Sequence, residues 1–238
     1  MNGARIWYCR SPIAGRADAG GTVQEMTATE VLTTTRTVRR RLDLDRPVDR
    51  ATILECIGVA LQAPTGGNVE RWRWIVVEDL HQKAALGELY RRASMPAFMR
   101  ERDSASTDAT RRVYEDAIGL AQNLDRVPVI VIPCCLGVPP IDAAGAAGFF
   151  GSILPAAWSF QLALRVRGLG SAYTSAILAR AGELREILSL PVDVTPAAMI
   201  PVGYTLGTRF RPARRSDPVD VTYIDRWESI RADGTAGA

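Results

Sequence analysis

Three short runs of apolar and β-branched residues constrain the fold of this chain more than any other feature of its sequence. They cover Trp74–Glu78, Val127–Cys135 and Ala197–Tyr204, and helical patterns separate them. Short runs of this kind are typical of buried strands. The order helix, helix, strand, helices, strand, long helix, strand, tail is not a regular alternation of strands and helices. It therefore predicts an α+β or a mixed α/β domain.

Capping residues and apolar spacing predict the helices of the first half. The capping-box pattern of Thr27–Glu30 should start the first helix. Asp49 should cap the second, which is expected to stop near Ala63–Pro64. Polar helical segments are expected around Leu80–Ala93 and Asp108–Asp125, between the first two strands.

The second half predicts one long helix, one short helix and an extended tail. Ser152–Val166 fits a helix buried on most sides, with Pro155 in its first turn and a Gly/Pro/Ala-rich loop before it. A short helix is expected over Gly182–Leu190. In the tail, Val219, Val221 and Tyr223 alternate with polar residues as an edge strand does. No partner strand precedes them, so a strand donated to a second subunit is expected.

Length and composition predict one domain. The chain has 238 residues, 47% of them hydrophobic, and this is enough to form a sizeable core. Residues 1–26 mix arginines with Gly and Ala and lack a signal-peptide apolar region, which predicts a flexible N-terminal extension before a single domain of residues 27–238. No apolar run approaches the roughly 20 residues of a membrane helix, so no membrane association is expected.

Histidine and cysteine usage excludes several classes of site. His81 is the only histidine and lies in a charged stretch, which argues against a His-dependent triad or a multi-His metal site. The four cysteines form no CxxC pair. They suit reduced thiols packed as small apolar residues in a cytoplasmic protein. The sequence therefore predicts no metal site.

Almost all positive charge in the chain is arginine, because Lys83 is the only lysine. The formal net charge is +3. Arginine offers a planar fork that suits phosphate and carboxylate groups, although a GC-rich genome would produce the same bias. A nucleic-acid interface needs one basic face with stacking aromatic residues. Here the arginines are dispersed among acids, so no nucleic-acid partner is expected.

Four segments combine residues that suit ligand binding, and each has a plain structural alternative. Arg36, Thr37 and Arg39 could bind a phosphate or form a solvated basic face. The stretch "APTGGN" (63–68) offers a hydroxyl, two glycines and a carboxamide, which suit the edge of a heteroaromatic ring or a polar turn. "RGLGSAYT" (167–174) and "RFRPARRS" (209–216) could approach a ligand, or form a helix C-cap and a solvated loop.

The order of these segments is more specific than any one of them. An Arg–Thr–x–Arg element, "APTGGN…W" before a strand, "LALRVRGLGSAYT" after a long helix and "PVGY…RR" near the end resemble the FMN-dependent nitroreductase family. The resemblance covers roughly Thr27 to Trp227. It implies an α+β nitroreductase-like fold with a central, mixed but mostly antiparallel sheet surrounded by helices. It also implies an interlocked homodimer with C-terminal strand exchange and FMN at the interface.

The resemblance implies residues that bind non-covalent FMN. The first arginine element and one or both of the late arginine pair would anchor the phosphate, the segment before the first strand would border the flavin ring, and Gly170 would approach flavin N5. The full set comprises Arg36, Thr37, Arg39, Pro64, Thr65, Asn68, Arg71, Gly170, Ser171, Arg214 and Arg215. No catalytic side chain is implied, since the flavin itself would carry the hydride.

The implied activity is transfer of a hydride from NAD(P)H through flavin N5 to nitroaromatics, quinones or similar small electron-poor acceptors, by a ping-pong mechanism. Two alternatives share the fold: a flavin-sequestering protein without catalysis, and a relative that removes halogen or modifies flavin. The chain departs from a common Asn-x-Gln-Pro-Trp form by carrying Glu70 and Arg71. Arg71 could stabilise the reduced flavin at its N1–C2=O edge, or pair with Glu70 on the surface.

Overall fold

The computed structural model describes residues 25–227, and the expected extension of residues 1–26 lies almost wholly outside them. The described residues form six α-helices and five strands, and the five strands make up one sheet. The helices are α1 (Ala28–Thr34), α2 (Arg50–Ala60), α3 (Leu80–Asp103), α4 (Asp108–Gln122), α5 (Ala143–Val166) and α6 (Ala181–Leu188). The strands are β1 (Trp72–Val77), β2 (Val129–Leu136), β3 (Leu169–Ser171), β4 (Val194–Pro196) and β5 (Ile200–Tyr204). The expected α+β class is confirmed.

The sheet is antiparallel throughout its strand pairs, in the order β1-β2-β5-β3, with β4 also pairing with β2. Trp72 lies opposite Cys135 in the first pair, and Gly170 lies opposite Gly203 in the last. Thr37 adds a parallel bridge to Ser171 beyond β3. This order puts β1 and β3 at opposite edges of the path, a separation that matters for the site.

Side-chain caps fix the helix starts that the sequence predicted. The Thr27 hydroxyl accepts from the N–H of Glu30, whose carboxylate in turn accepts from the N–H of Thr27 at 2.8 Å, so the capping box is confirmed. The Asp49 carboxylate accepts from the N–H of Ala51 at 3.0 Å and starts α2.

The core lies on both faces of the sheet, and α5 and α2 cover one of them. Phe160 of α5 is fully buried there, and its ring centroid lies 5.4 Å from that of Trp74 on β1. Cys134 packs into the core cluster on the α3 side, whereas Cys135 packs near Trp72. Burial raises the pKa of the thiols of Cys56 and Cys134 to about 12. These cysteines are therefore packed apolar residues, as the sequence indicated.

The long helix begins earlier than the sequence predicted. It starts at Ala143, because the Asp142 carboxylate accepts from the N–H of Gly145 at 2.8 Å and caps it. The segment expected to be a loop is therefore helical, and Pro155 lies in the helix interior. By length and mean hydropathy (1.3) α5 could cross a membrane, and 44% of its most apolar window is buried. It packs against α2 and the sheet, as a core helix does.

The expected edge strand in the tail does not form at Val219 and Val221, although Tyr223 lies in an isolated β-bridge. Pro218–Val221 forms a 3₁₀ turn instead. The Asp217 carboxylate accepts from the N–H of Val219 at 3.2 Å, and Pro218 occupies the first helical position. An Asp-Pro pair of this kind starts helical turns, and it outweighed the alternating apolar pattern.

Candidate functional site

The first arginine element leaves α1 and runs beside the β3 edge of the sheet. Thr35, which ends α1, has an extended backbone, and the N–H of Val38 donates to the carbonyl of Ser171 at 2.9 Å. Val38 is buried, whereas Arg36 and Arg39 are half-buried. The backbone is thus fixed to the sheet while both guanidinium groups remain accessible.

A second arginine element folds back onto the first. After β5, the N–H of Leu206 donates to the carbonyl of Arg41 at 2.8 Å, and Gly207 turns the chain with a φ of +86°. The following residues form an arm, Thr208–Arg211, that brings Arg209 and Arg211 to the same place as Arg36 and Arg39.

These two elements enclose a cavity of about 280 Å³, which we call the arginine cavity. Its lining comprises Arg36–Arg41, Asp116 and Arg209–Arg211. Arg40 pairs with the one acid of this set, Asp116, at 3.5 Å. Within residues 25–227, Arg36, Arg39, Arg209 and Arg211 form no ion pair. A cluster of uncompensated guanidinium groups is suited to bind a phosphate by charge-assisted bonds.

The late arginines at this cavity differ from those that the resemblance implied. Arg214 and Arg215 are exposed and do not line the cavity, whereas Arg209 and Arg211 do. The sequence signal that could have found them is the apolar Phe210 between two arginines, because an apolar residue anchors such a segment to the core.

A second cavity, of about 250 Å³, shares one lining residue, Arg39, with the first. We call it the aromatic cavity. Its walls come from α3, α4 and the segment after β3, and they comprise Arg39, Tyr90, Phe98, Val113, Tyr114, Ala117, Leu120 and Ala172–Ala176. Most of these residues escaped the sequence analysis because an aromatic residue on a helix is usually a core residue.

Tyr90 ties the two sides of the aromatic cavity together. The Thr174 hydroxyl donates to the Tyr90 hydroxyl oxygen at 3.1 Å, across a sequence separation of 84 residues. Burial raises the pKa of Tyr90, so its hydroxyl stays protonated at neutral pH. The cavity thus combines aromatic walls with a neutral hydroxyl pair and one guanidinium group.

Gly170 and Ser171 lie behind this site rather than in it. Both are buried in β3, and the Ser171 hydroxyl accepts from the Gln161 amide at 3.2 Å. A Cβ at Gly170 would lie 2.6 Å from Cγ2 of Thr205 and 3.0 Å from Cβ of Val38. Packing within the chain therefore requires this glycine, and a ligand is not needed to explain it.

We expect Gly170→Ala to lower the free energy of unfolding by about 1–3 kcal/mol, because the added methyl group overpacks the contact with Thr205. Adding Thr205→Ser removes the Cγ2 atom and should restore part of that loss. Urea unfolding of the two single variants and the double variant measures the coupling. Additive effects in the double variant would contradict the packing explanation.

The segment expected to border the flavin ring lies away from both cavities. Pro64, Thr65 and Asn68 precede β1, at the other edge of the sheet from Thr37. Gly66 in this bend donates its N–H to the Ser152 hydroxyl of α5 at 2.8 Å. The arm, in contrast, is bound by Arg165 of α5, whose Nη2 donates to the carbonyl of Thr208 at 3.3 Å.

Helix α5 contacts both the bend before β1 and the arm, so positions along it show how far apart these two groups of residues lie. Ser152 and Arg165 are 13 residues apart on this helix, which corresponds to about 20 Å at 1.5 Å per residue. The structure thus brings Arg36, Thr37 and Arg39 together with the arm, but it does not bring Thr65 or Asn68 to them within one chain.

Arg71 lies on the side of the bend before β1, not with the arginine cavity. It is exposed, and its Nη1 is 4.0 Å from the position of a Cβ at Gly137, at the turn after β2. In residues 25–227 no ion pair joins it to Glu70. The surface pairing considered for these two residues is therefore not formed.

A wider groove of about 590 Å³ lies near the start of α3 and is a weaker candidate despite its size. Its charged groups already have partners: Arg126 pairs with Asp45 at 3.3 Å, and the buried Lys83 ammonium donates to the carbonyls of Val127 and Pro128 at 3.0 and 3.2 Å. Uncompensated charge, rather than volume, marks the arginine cavity as the candidate site.

Comparison with known proteins agrees with this architecture. The chain covers 100% of a BluB-like flavoprotein from Clostridium difficile 630 with 85% of its own length, at 16% identity and a TM-score of 0.64. It covers 98% of an iodotyrosine deiodinase bound to FMN and 3-iodo-L-tyrosine with 84% of its own length, at 20% identity and a TM-score of 0.63. It covers 80% of nitroreductase A from Vibrio parahaemolyticus RIMD 2210633 with 88% of its own length, at 14% identity and a TM-score of 0.63.

These similarities concern the fold, because all three identities are low. The family model of the nitroreductase family matches residues 32–204, which include the arginine element, the bend before β1 and all five strands. Family membership supports an oxidoreductase. The chain belongs to the nitroreductase family.

Proposed function

We propose that this protein is an FMN-dependent oxidoreductase that passes reducing equivalents from NAD(P)H to nitroaromatics, quinones or similar electron-poor acceptors. The observation that carries the proposal is the pair of cavities that have Arg39 as a common wall residue. One end offers uncompensated guanidinium groups for a phosphate, and the other offers aromatic walls for a ring. Their donor chemistry fits a ligand that has a phosphate at one end and a flat ring system at the other.

The residues of the chain would bind and orient this cofactor. Arg36, Arg209 and Arg211 would hold the phosphate, and Arg39, which lines both cavities, would lie between the phosphate and the ring. When bound, FMN supplies the two-electron chemistry that the side chains lack. The buried Tyr90 and the half-buried Thr174 would offer hydroxyl groups to the ring end, and the aromatic walls would exclude water from it.

The proposal predicts a yellow protein that releases FMN on denaturation and oxidises NADH or NADPH under anaerobic conditions when a nitroaromatic or quinone is present. Absorbance of the nicotinamide, followed with and without the acceptor, measures this. A protein that binds FMN but never oxidises NAD(P)H would be a flavin-sequestering protein and contradicts the enzyme assignment. A colourless protein that takes up no FMN contradicts the cofactor assignment.

We further propose that the functional unit is a homodimer. Thr65 and Asn68 lie in the bend that is bonded to Ser152, and Ser152 is about 20 Å along α5 from Arg165, which binds the arm. A second copy would therefore have to supply Thr65 and Asn68 to a shared flavin. An exposed apolar surface on α2 and α5 is suited to this contact. It includes Leu54, Leu61, Leu154 and Trp158, whose exposed fractions are 56%, 39%, 40% and 42%.

Charge placed in this apolar surface should separate the subunits. We expect Trp158→Arg to be monomeric in size-exclusion chromatography with light scattering and to lose most bound flavin, because each site would lack the partner's half. Val192→Arg is the matched control, since Val192 is 85% exposed and belongs to the segment between α6 and β4. A monomeric wild-type protein with full flavin content would contradict the dimer proposal.

A further inference from the structure

The arm that carries Arg209 and Arg211 has one residue fixed to the core. Arg209 and Arg211 are both exposed, whereas Phe210 is half-buried and packs against the main core cluster. Its ring lies in the wall of the arginine cavity and also in that of a small gap next to Gly170. The direction of the two arginine side chains therefore depends on how this one ring is held.

Two cations hold the ring. The guanidinium carbon of Arg41 lies 4.4 Å from the centroid of the Phe210 ring, and that of Arg165 lies 4.6 Å from it. Both distances are within the range of cation–π attraction, which is stronger where the cation is desolvated. Arg165 is only 6% exposed, and its Nη2 donates to the carbonyl of Thr208 at 3.3 Å. It thus contacts both the ring and the backbone of the arm.

We propose that Phe210 is a positioning residue for phosphate recognition: its ring, held by Arg41 and Arg165, keeps Arg209 and Arg211 directed into the arginine cavity. This inference rests on the proposed phosphate site and adds a residue that touches no reacting atom. Leucine at position 210 would keep an apolar side chain against the core cluster, but it would lose the two cation–ring contacts. The proposal therefore predicts a requirement for an aromatic ring at position 210.

The test compares two ligands that differ only in the phosphate. Flavin-free full-length protein is titrated with FMN and with riboflavin, and quenching of flavin fluorescence gives each Kd. We expect Phe210→Leu to weaken FMN about tenfold while riboflavin changes less than about twofold. Phe210→Tyr keeps the ring and should bind FMN as the wild type does.

A second variant changes one of the two arginines that contact the Phe210 ring. Arg165 does not line the arginine cavity, so Arg165→Met removes no candidate phosphate ligand, but it removes both a ring cation and the hydrogen bond to the Thr208 carbonyl. It should show the same selective loss of FMN affinity, with a thermal unfolding midpoint that reports whether each variant is folded. This variant also keeps the test valid if Phe210→Leu fails to fold.

The outcomes distinguish this inference from the proposed function. A wild-type protein that binds FMN no tighter than riboflavin would refute the phosphate site, and this inference with it. A wild type that prefers FMN, together with a Phe210→Leu variant that keeps this preference, would overturn the positioning role alone. Equal loss of both ligands in the Leu and Met variants would show that Phe210 only stabilises the fold, and would also overturn it.

Discussion

Replacing both Arg209 and Arg211 by Gln should weaken FMN binding about a hundredfold or more. Each guanidinium group that donates to a phosphate contributes about 1.5–3 kcal/mol, and two such losses exceed the energy of a hundredfold change in Kd. Both residues line the arginine cavity and have no ion pair in the part of the chain that the structure describes. Titration of the flavin-free protein with FMN measures the effect.

The matched control replaces the neighbouring pair, Arg214 and Arg215, by Gln. It removes the same formal charge from the same tail, but these residues do not line the cavity. We expect its Kd for FMN to stay within about threefold of the wild type at 0.15 M salt, where charges beyond about 8 Å are screened. A larger loss in the control than in the cavity variant would show that the implied pair, and not the arm, binds the phosphate.

Phe160→Ala should lower the free energy of unfolding by about 4 kcal/mol, because it removes a fully buried ring from between α5 and the sheet. The substitution also removes the contact with Trp74, whose ring centroid is 5.4 Å away. Urea unfolding followed by circular dichroism provides the measurement. Because domains are stable by only about 5–15 kcal/mol, this one substitution removes about a quarter or more of the total stability.

Trp158→Ala on the same helix is the control for this prediction. Its side chain is 42% exposed, so at low protein concentration the loss should be below about 1.5 kcal/mol. Equal destabilisation by the two substitutions would mean that α5 does not bury Phe160 as described.

The sequence predicted most of the fold because short-range signals agreed with burial. Thr27 and Asp49 cap helices as expected, and each of the three expected strands is present with ends shifted by a few residues. Strands β3 and β4 were missed because each has only three residues. Such strands have no periodic pattern, and only their pairing with longer neighbours defines them.

The errors have local causes. The start of α5 was placed too late because an Ala- and Gly-rich stretch carries no apolar period, whereas the Asp142 cap fixes it. The tail strand does not form at Val219 and Val221 because Asp217 and Pro218 specify a helical turn there. In both cases a capping residue determines the local structure without support from the apolar pattern around it.

The site was predictable only in part. Arg36, Thr37 and Arg39 are adjacent in sequence, and the structure brings all three to one cavity. Arg209, Arg211 and Tyr90 reach the same region through the turn at Gly207 and the packing of α3, which no local pattern encodes. The sequence pattern also does not show that Thr65 and Asn68 lie at the opposite edge of the sheet from Thr37.

The interior proline of α5 has a consequence for the surface that we propose to be shared. Pro155 has no N–H, so the carbonyl of Gly151, four residues earlier, receives no helical hydrogen bond from it. Gly151 is exposed, and Leu154 and Trp158 follow it on the same side of the helix. In the dimer that we propose, this main-chain acceptor would need a donor from the partner subunit, and that hydrogen bond would fix how the two copies align.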